Sequence, residues 1–337
     1  MSLAKPALRW DIPEAKIEAV VGAIVGALSA HPEGLDELQW EMLEAIVEHV
    51  FCAPIDVRAV EPVTPEQLAA AILMPYPREI VVHLMVTLAF ARHPESPEVA
   101  VAIERYAAAL DVDEPMVHAA RHYADNHAAL LYFDIERNSE FTEQTVHRML
   151  HGHFWRIIRN KLAYEGVVAD QKIARHWESL DACPDGTWGH ALAGFYHQHN
   201  FPYPGERRGI AEVGARHDWV HVLTDYDPTP EGEIDVFAFI AASMPDPRGF
   251  AQFVMTLGLF QNGTIRHVAG QRIQIARNDT LADPGAVSRW ADALRRGAYC
   301  NVDVMNIDHF EYKNLPLEEV RERFGVLPKQ SDTATLI

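Results

Sequence analysis

Cysteine is scarce: Cys52, Cys183 and Cys300 are the three in 337 residues, far apart and without a C-x-x-C pair. An odd, scattered set excludes a disulfide framework and predicts a reduced, cytoplasmic setting. Positive charge is also short, with 29 Lys and Arg against 48 Asp and Glu, a formal charge of −19. That excludes a nucleic-acid partner, which needs a basic stripe. It also excludes purely electrostatic docking on anionic lipid, while leaving apolar contact with a membrane or a lipid-like substrate open. Long hydrophobic runs are missing. The longest near-apolar window, Ala19 to Ala30, is too short to span a bilayer and reads as a buried helix. Met1 to Lys16 has no signal-peptide core. Membrane contact is therefore expected to be peripheral, with the protein in the cytoplasm or on the inner membrane surface. No G-x-G-x-x-G, Walker loop or G-x-S-x-G occurs, so neither a nucleotide cofactor nor a serine nucleophile has a visible seat. Long alternating β-branched runs are absent too; only Arg272 to Ile275 hints at a strand.

Helical periodicity fills the space. Glu14–Ala30, Asp36–Phe51, Arg78–Arg92, Pro97–Leu110 and Glu114–Tyr132 read as amphipathic helices. Thr64-Pro65-Glu66 and Ser96-Pro97-Glu98 are helix starts, and the Pro-rich stretches at 54–65 and 75–77 read as connectors between helices. The length and pattern predict an all-α protein of two helical domains, 1–139 and 140–337. Phe133 to Ser139 marks the boundary, and a long helix from Glu140 to Tyr164 follows it. A homo-oligomer is expected.

One stretch concentrates chemistry. His217-Asp218-Trp219-Val220-His221 is followed by eleven residues and then Glu233. Gly205 to Thr224 reads as a helix with Ile210, Val213 and Val220 on one face. At about 100° per residue, His217 and His221 lie within roughly 40° of each other on that face, and Asp218 about 60° further round. A buried carboxylate beside buried imidazoles is costly unless paired, and a divalent cation accepts both. Thr229 reads as an N-cap with Pro230 at the first helical position, after a turn at Asp225 to Pro228. Two antiparallel helices across that turn would return Glu233 over the histidines. The bland alternative is also physical: two His at i, i+4 arise by chance among 18 His, and the helix dipole alone favours Glu in a first turn.

Other histidines lack such a companion. His118 and His122 with Asp125 and His127, then His147, His151 and His153, then His197 and His199, read as solvated or core imidazoles. An HD-domain phosphohydrolase needs further His and Asp ligands elsewhere. A zincin needs a Glu between its histidines, where this chain has Asp218 beside His217.

The run Arg216 to Thr224, with Gly232-Glu233 downstream, resembles the signature of the coenzyme Q biosynthesis protein four family, His-Asp-x-x-His, eleven residues, Glu. Leu180 to Gly189 is similar to that family's upstream Leu…Pro-Glu-Gly-Thr-x-Gly segment, and Leu315 to Gly325 to its C-terminal end. The likeness covers roughly residues 165–328. It departs at Asp225, where the family usually has Gly. The first half weakly resembles the tellurite-resistance TerB-like helical domain over Val82–Arg92, His93 to Glu98 and Tyr106–Val112. His93-Pro94 stands where that family has Asp-Gly, so no inherited metal site is expected there.

The resemblance implies a mononuclear divalent metal, expected to be Zn²⁺, on His217, Asp218, His221 and Glu233, with Asp218 or Glu233 as the loose, catalytic carboxylate. It implies ubiquinone biosynthesis: replacement of the carboxylate at ring carbon 1 of a polyprenylated benzoate by hydroxyl, alongside other ubiquinone biosynthesis proteins. The prenylated quinone precursor would need an apolar groove, for which Phe237, Phe239, Ile240, Phe250, Phe253, Met255, Leu257, Leu259 and Phe260 are candidates, although they read equally well as helical core. A non-catalytic lipid-binding scaffold with a structural metal and a metal-dependent hydrolase are the rival readings.

Overall fold

A computed structural model describes residues 10–94, 96–112, 117, 120, 169–244, 248–263, 267–268, 271–272 and 278–330. The protein is all-α, with thirteen α-helices among the described residues. The only strands described, β1 (His267–Val268) and β2 (Gln271–Arg272), form a two-residue antiparallel ladder. The expected helices at 114–132 and 140–164, the boundary at 133–139 and the histidine groups near 118 and 147 lie outside the described residues.

The first half opens with α1 (Ile17–Leu28), α2 (Glu37–Ala45), α3 (Pro65–Ala71), α4 (Pro75–Ala91) and α5 (Pro97–Leu110). Their starts follow side-chain chemistry. Asp36 and Thr64 each close a reciprocal capping box with the Gln three residues on, and Ser96 accepts from the Glu98 amide. The reading of Pro75 to Pro77 as a connector is corrected. Both prolines lie inside the first turn of α4. Amides there have no intrahelical partner, so proline forfeits nothing by lacking one. α4 is buried from Ile80 to Ala91 and forms the centre of this half.

The second half runs through α6 (Gln171–Glu178), α7 (Trp188–His199), α8 (Arg216–Thr224), α9 (Pro230–Ser243), α10 (Arg248–Phe260), α11 (Ala286–Tyr299), α12 (His309–Tyr312) and α13 (Leu317–Phe324). α9 packs closely against both α10 and α11. α10 packs on α4, and α11 packs on α2 and the π-turn that extends it, Ile46–Val50. Buried apolar residues of both halves form one cluster. The last carbonyls of α4 illustrate the join: Gln39, Gln261 and Asn262 donate side-chain amides to the carbonyls of Leu88, Ala91 and Phe90. Helix ends buried without such donors would carry orphaned carbonyls, each costing about 1–3 kcal/mol.

Most residues expected to line a groove after Glu233 are packed core instead. Phe239, Ile240, Phe250, Phe253, Leu257 and Leu259 are at most 5% exposed, and only Phe237, Met255 and Phe260 are half-buried. A channel wide enough for a prenyl chain would admit water to these side chains. They are the packed interface of α9, α10, α11 and α4 instead. Periodicity marks an apolar face but does not say whether a helix or a ligand covers it.

Candidate metal centre

The helix that carries the motif is shorter than its sequence pattern suggests. The expected span of Gly205 to Thr224 is corrected to Arg216–Thr224. The preceding residues run through successive turns, with Glu206 donating to Tyr203 and Gly209 to Glu206. Gly205 has φ +89° and Arg208 φ +68°, which no right-handed helix admits. Gly205 also sits against the backbone of Asp170 and Ala174, where a β-carbon would come within 2.5 Å of a main-chain nitrogen.

A nine-residue helix is not stable by propensity, so its neighbours hold it. Arg321 donates from Nε to the Leu223 carbonyl at 2.9 Å and from Nη2 to Val222 at 3.2 Å. Arg296 donates from Nη1 to the Thr224 carbonyl at 3.0 Å. Two guanidinium groups thus satisfy the last three carbonyls of α8, where the helix dipole also favours positive charge. Trp188 donates its indole N–H to the Trp219 carbonyl at 3.2 Å. The segments flanking the motif in the sequence likeness meet each other here: Trp188 donates to Leu315, Gly189 to Lys313 and Leu317 to Gly186. α8 ends at Asp225, which adopts the left-handed conformation at φ +63°. That is why glycine suits the position, and Asp is among the few residues that tolerate it.

The turn after α8 reverses the chain as the sequence predicts. Thr229 caps α9 by accepting from the Gly232 amide at 3.1 Å, and Pro230 occupies the first turn. Glu233 therefore faces α8. His217, His221 and Glu233 each offer a ligand atom, all within 4.8 Å of one another, the one such trio among the described residues. Glu233 spans the two imidazoles, with Oε1 3.3 Å from His221 Nε2 and Oε2 3.9 Å from His217 Nε2. Two ligands about 2.1 Å from a tetrahedral ion lie about 3.4 Å apart. Asp218 falls outside the trio. Its Oδ1 is 3.3 Å from His217 Nε2, but its Oδ2 accepts from the Tyr196 hydroxyl at 2.5 Å.

Both imidazoles are oriented through the nitrogen that faces away from the trio. His217 Nδ1 pairs with the Gly214 carbonyl at 2.5 Å, and His221 Nδ1 with the Tyr226 carbonyl at 2.9 Å. A carbonyl only accepts, so each Nδ1 carries a hydrogen, which leaves each Nε2 to take a proton or a metal. His221 Nε2 is buried and faces the Glu233 carboxylate, whose Oε1 lies 3.3 Å away. A buried carboxylate facing two imidazoles is costly unless a cation joins them, and either a proton or a metal does so.

The charges agree. Burial pushes the Asp218 carboxyl upward, and the opposing pull of His217 and the Tyr196 hydroxyl does not offset it. Burial also works against a charged His221, but Glu233 outweighs it and holds the imidazole above the ordinary histidine value. Burial raises Glu233 less than His221 and His217 lower it, so this carboxyl stays below the usual range. Without a metal these shifts favour a proton on His221 beside an ionised Glu233, a proton that metal binding would displace. Burial and Asp218 drive the Tyr196 phenol far above its usual value, so it remains a donor.

Aromatic rings wall the trio. Phe195 stacks on His221 and Phe237 on His217, each with centroids 5.6 Å apart. Phe195 also meets Phe201, which is 41% exposed. The third histidine group resolves otherwise: His197 pairs with Asp181 at 2.7 Å and His199 stacks on Phe201.

Sequence reasoning missed Tyr196. Nothing in the sequence links it to Asp218, 22 residues away. Its one signal is a hydroxyl on the apolar face of α7.

No protein-family model and no curated protein matches the chain. Among solved structures, a proposed ubiquinone biosynthesis protein from Nostoc punctiforme is similar at 17% identity and a TM-score of 0.31, over 74% of this chain and 97% of that one. No helix among the described residues is long and apolar enough to cross a membrane.

Proposed function

We propose that this protein binds one divalent metal, expected to be Zn²⁺, on His217, His221 and Glu233 and acts in ubiquinone biosynthesis. The observation that carries the metal is the convergence of His217, His221 and Glu233, whose ligand atoms lie within 4.8 Å of one another while Tyr226 fixes the His221 ring. The pathway follows from the likeness of residues 165–328 to the coenzyme Q biosynthesis protein four family. The substrate in this reading is a prenylated hydroxybenzoate, and the reaction is oxidative decarboxylation and hydroxylation at ring carbon 1, which removes two electrons and so needs an external oxidant such as dioxygen. When bound, the metal supplies a Lewis acid for a ring carboxylate or phenolate oxygen. The chain supplies the rest. Phe195 and Phe237 offer apolar faces to a planar ring, and Asp218 offers a carboxylate oxygen beside His217 to accept a proton. Partners in the pathway and a peripheral membrane position, which would leave the prenyl tail in lipid, belong to the same proposal.

The scaffold reading has one observation in its favour, the solid packing behind Glu233, which leaves a tail no channel between α9 and α10. The test is incubation of the metal-loaded protein with a short-chain prenyl-hydroxybenzoate. Loss of the ring carboxylate at a rate set by metal content is expected. Saturable binding without turnover overturns the enzyme and leaves the scaffold.

A further inference from the structure

The group that meets Asp218 from another helix is a phenol. Tyr196 lies on the inner face of α7, 1% exposed. Its ring is held on both sides, stacked on Tyr203 at 4.9 Å and tilted against Trp177 at 6.0 Å. The hydroxyl therefore has one place to go, and it donates to Oδ2 of Asp218 at 2.5 Å. Asp218 is itself 6% exposed. On α8 it stands about 100° from His217, so its carboxylate leaves the helix on a different bearing from the imidazoles. With Oδ2 taken by the phenol, only Oδ1 is turned to the site, 3.3 Å from His217 Nε2. Asp218 is correspondingly absent from the group of mutually close ligand atoms.

We infer that Tyr196 is a positioning residue that keeps Asp218 out of the metal's ligand set, so that the ion rests on His217, His221 and Glu233 with one position left for an oxygen ligand, and Asp218 Oδ1 accepts a hydrogen bond beside it. This rests on the metal reading above and deepens it. Four protein ligands would close a tetrahedral site, as in structural zinc centres, whereas three with an open position are the catalytic arrangement. The arrangement also selects the incoming ligand. An oxygen that bears hydrogen, as in water or a hydroxyl, gains a hydrogen bond to Asp218. A bare carboxylate oxygen meets that acceptor without one.

Cobalt(II) in the full-length protein tests this through its visible spectrum, with chelator competition for affinity and azide as a probe of an open position. The wild-type protein is expected to take up one equivalent and to change spectrum with azide. Asp218→Asn keeps an acceptor for the Tyr196 hydroxyl and is expected to retain cobalt with at most about a tenfold loss, the scale of an outer-shell partner. Glu233→Gln should lose more than about a hundredfold, beyond the range of outer-shell changes. Tyr196→Phe releases Oδ2, so Asp218 should join the metal, alter the spectrum and weaken the azide response about tenfold. Circular dichroism checks that each variant is folded, and if Tyr196→Phe is not, the comparison of Asp218→Asn with Glu233→Gln decides. The inference is overturned if Asp218→Asn loses cobalt as severely as Glu233→Gln, or if folded Tyr196→Phe keeps the wild-type spectrum and azide response. A wild-type protein that binds no cobalt overturns the metal reading itself, and this inference with it.

Discussion

Replacing Gly232 by alanine sets two effects of known size against each other. Gly232 lies in the first turn of α9, in ordinary helical conformation. On propensity alone, alanine there would stabilise the helix by about 1 kcal/mol. The tertiary structure opposes it. A β-carbon at Gly232 would sit 1.8 Å from the Asp227 carbonyl oxygen, 2.9 Å from its carbon and 3.1 Å from its nitrogen. All three are backbone atoms, so no side chain can swing away. Relief needs a main-chain shift on the order of 1.5 Å to reach van der Waals contact. Overpacking of this kind costs about 1–3 kcal/mol or more, which exceeds the propensity gain. The shift would also move Glu233, the next residue, away from His217 and His221, whose contacts to it are 3.9 and 3.3 Å. Gly232→Ala is therefore expected to lower metal-free stability by up to about 2 kcal/mol net. It should weaken zinc binding as well. Denaturant unfolding with and without excess zinc measures both, since metal stabilises a folded site in proportion to its affinity. A variant as stable as the wild type, with the same zinc-induced gain, would refute the reasoning.

The double variant His217→Ala/His221→Ala should contain no bound divalent metal by elemental analysis, and one equivalent remaining would sink the assignment. Arg321→Met removes two donors from the end of α8 and should cost about 2 kcal/mol in denaturant unfolding; an unchanged midpoint would show that those carbonyls find water. His309 is buried between Trp188 and Trp219, and burial, with Arg216 adding to it, pulls its pKa down to about 3. A histidine depressed in the folded state is protonated first in the unfolded chain, so its contribution to stability is lost as pH falls below about 6.5 toward 3. At pH 5 the loss is about 2 kcal/mol, and His309→Phe should flatten that slope between pH 7 and 5; an unchanged slope would be the contrary result. Of the three cysteines, Cys52 is exposed while Cys183 and Cys300 are buried, and burial pushes the Cys183 thiol up. One thiol should therefore alkylate in the native protein and three after denaturation; two native labels would contradict the packing.

Local chemistry was legible wherever it acts within a few residues. The caps at Thr64, Ser96 and Thr229 start helices where the sequence says, because an N-cap side chain and the amide it satisfies are three residues apart or fewer. The approach of His217, His221 and Glu233 was legible for the same reason, since helical spacing and one turn fix it. The limits of α8 were not. Ile210 and Val213 keep the helical period into a stretch that Gly205 and Arg208 fold into turns, because close packing against Asp170 and Ala174 overrides periodicity. The fate of the apolar run after Glu233 was equally hidden: Phe239, Phe250 and Phe253 have the same pattern whether they face a lipid or a helix, and only the seating of α10 and α11 on the first half makes them core. What the sequence determined alone was the all-α class, the capped helix starts and the approach of His217, His221 and Glu233 across one turn. The tertiary structure alone decided that Arg296 and Arg321 hold the short helix, that the apolar run after Glu233 is packed as core, and that Tyr196 donates to Asp218. Those contacts join residues 22 to about 100 positions apart, and pairings at that distance are set by how helices pack, which no local rule encodes.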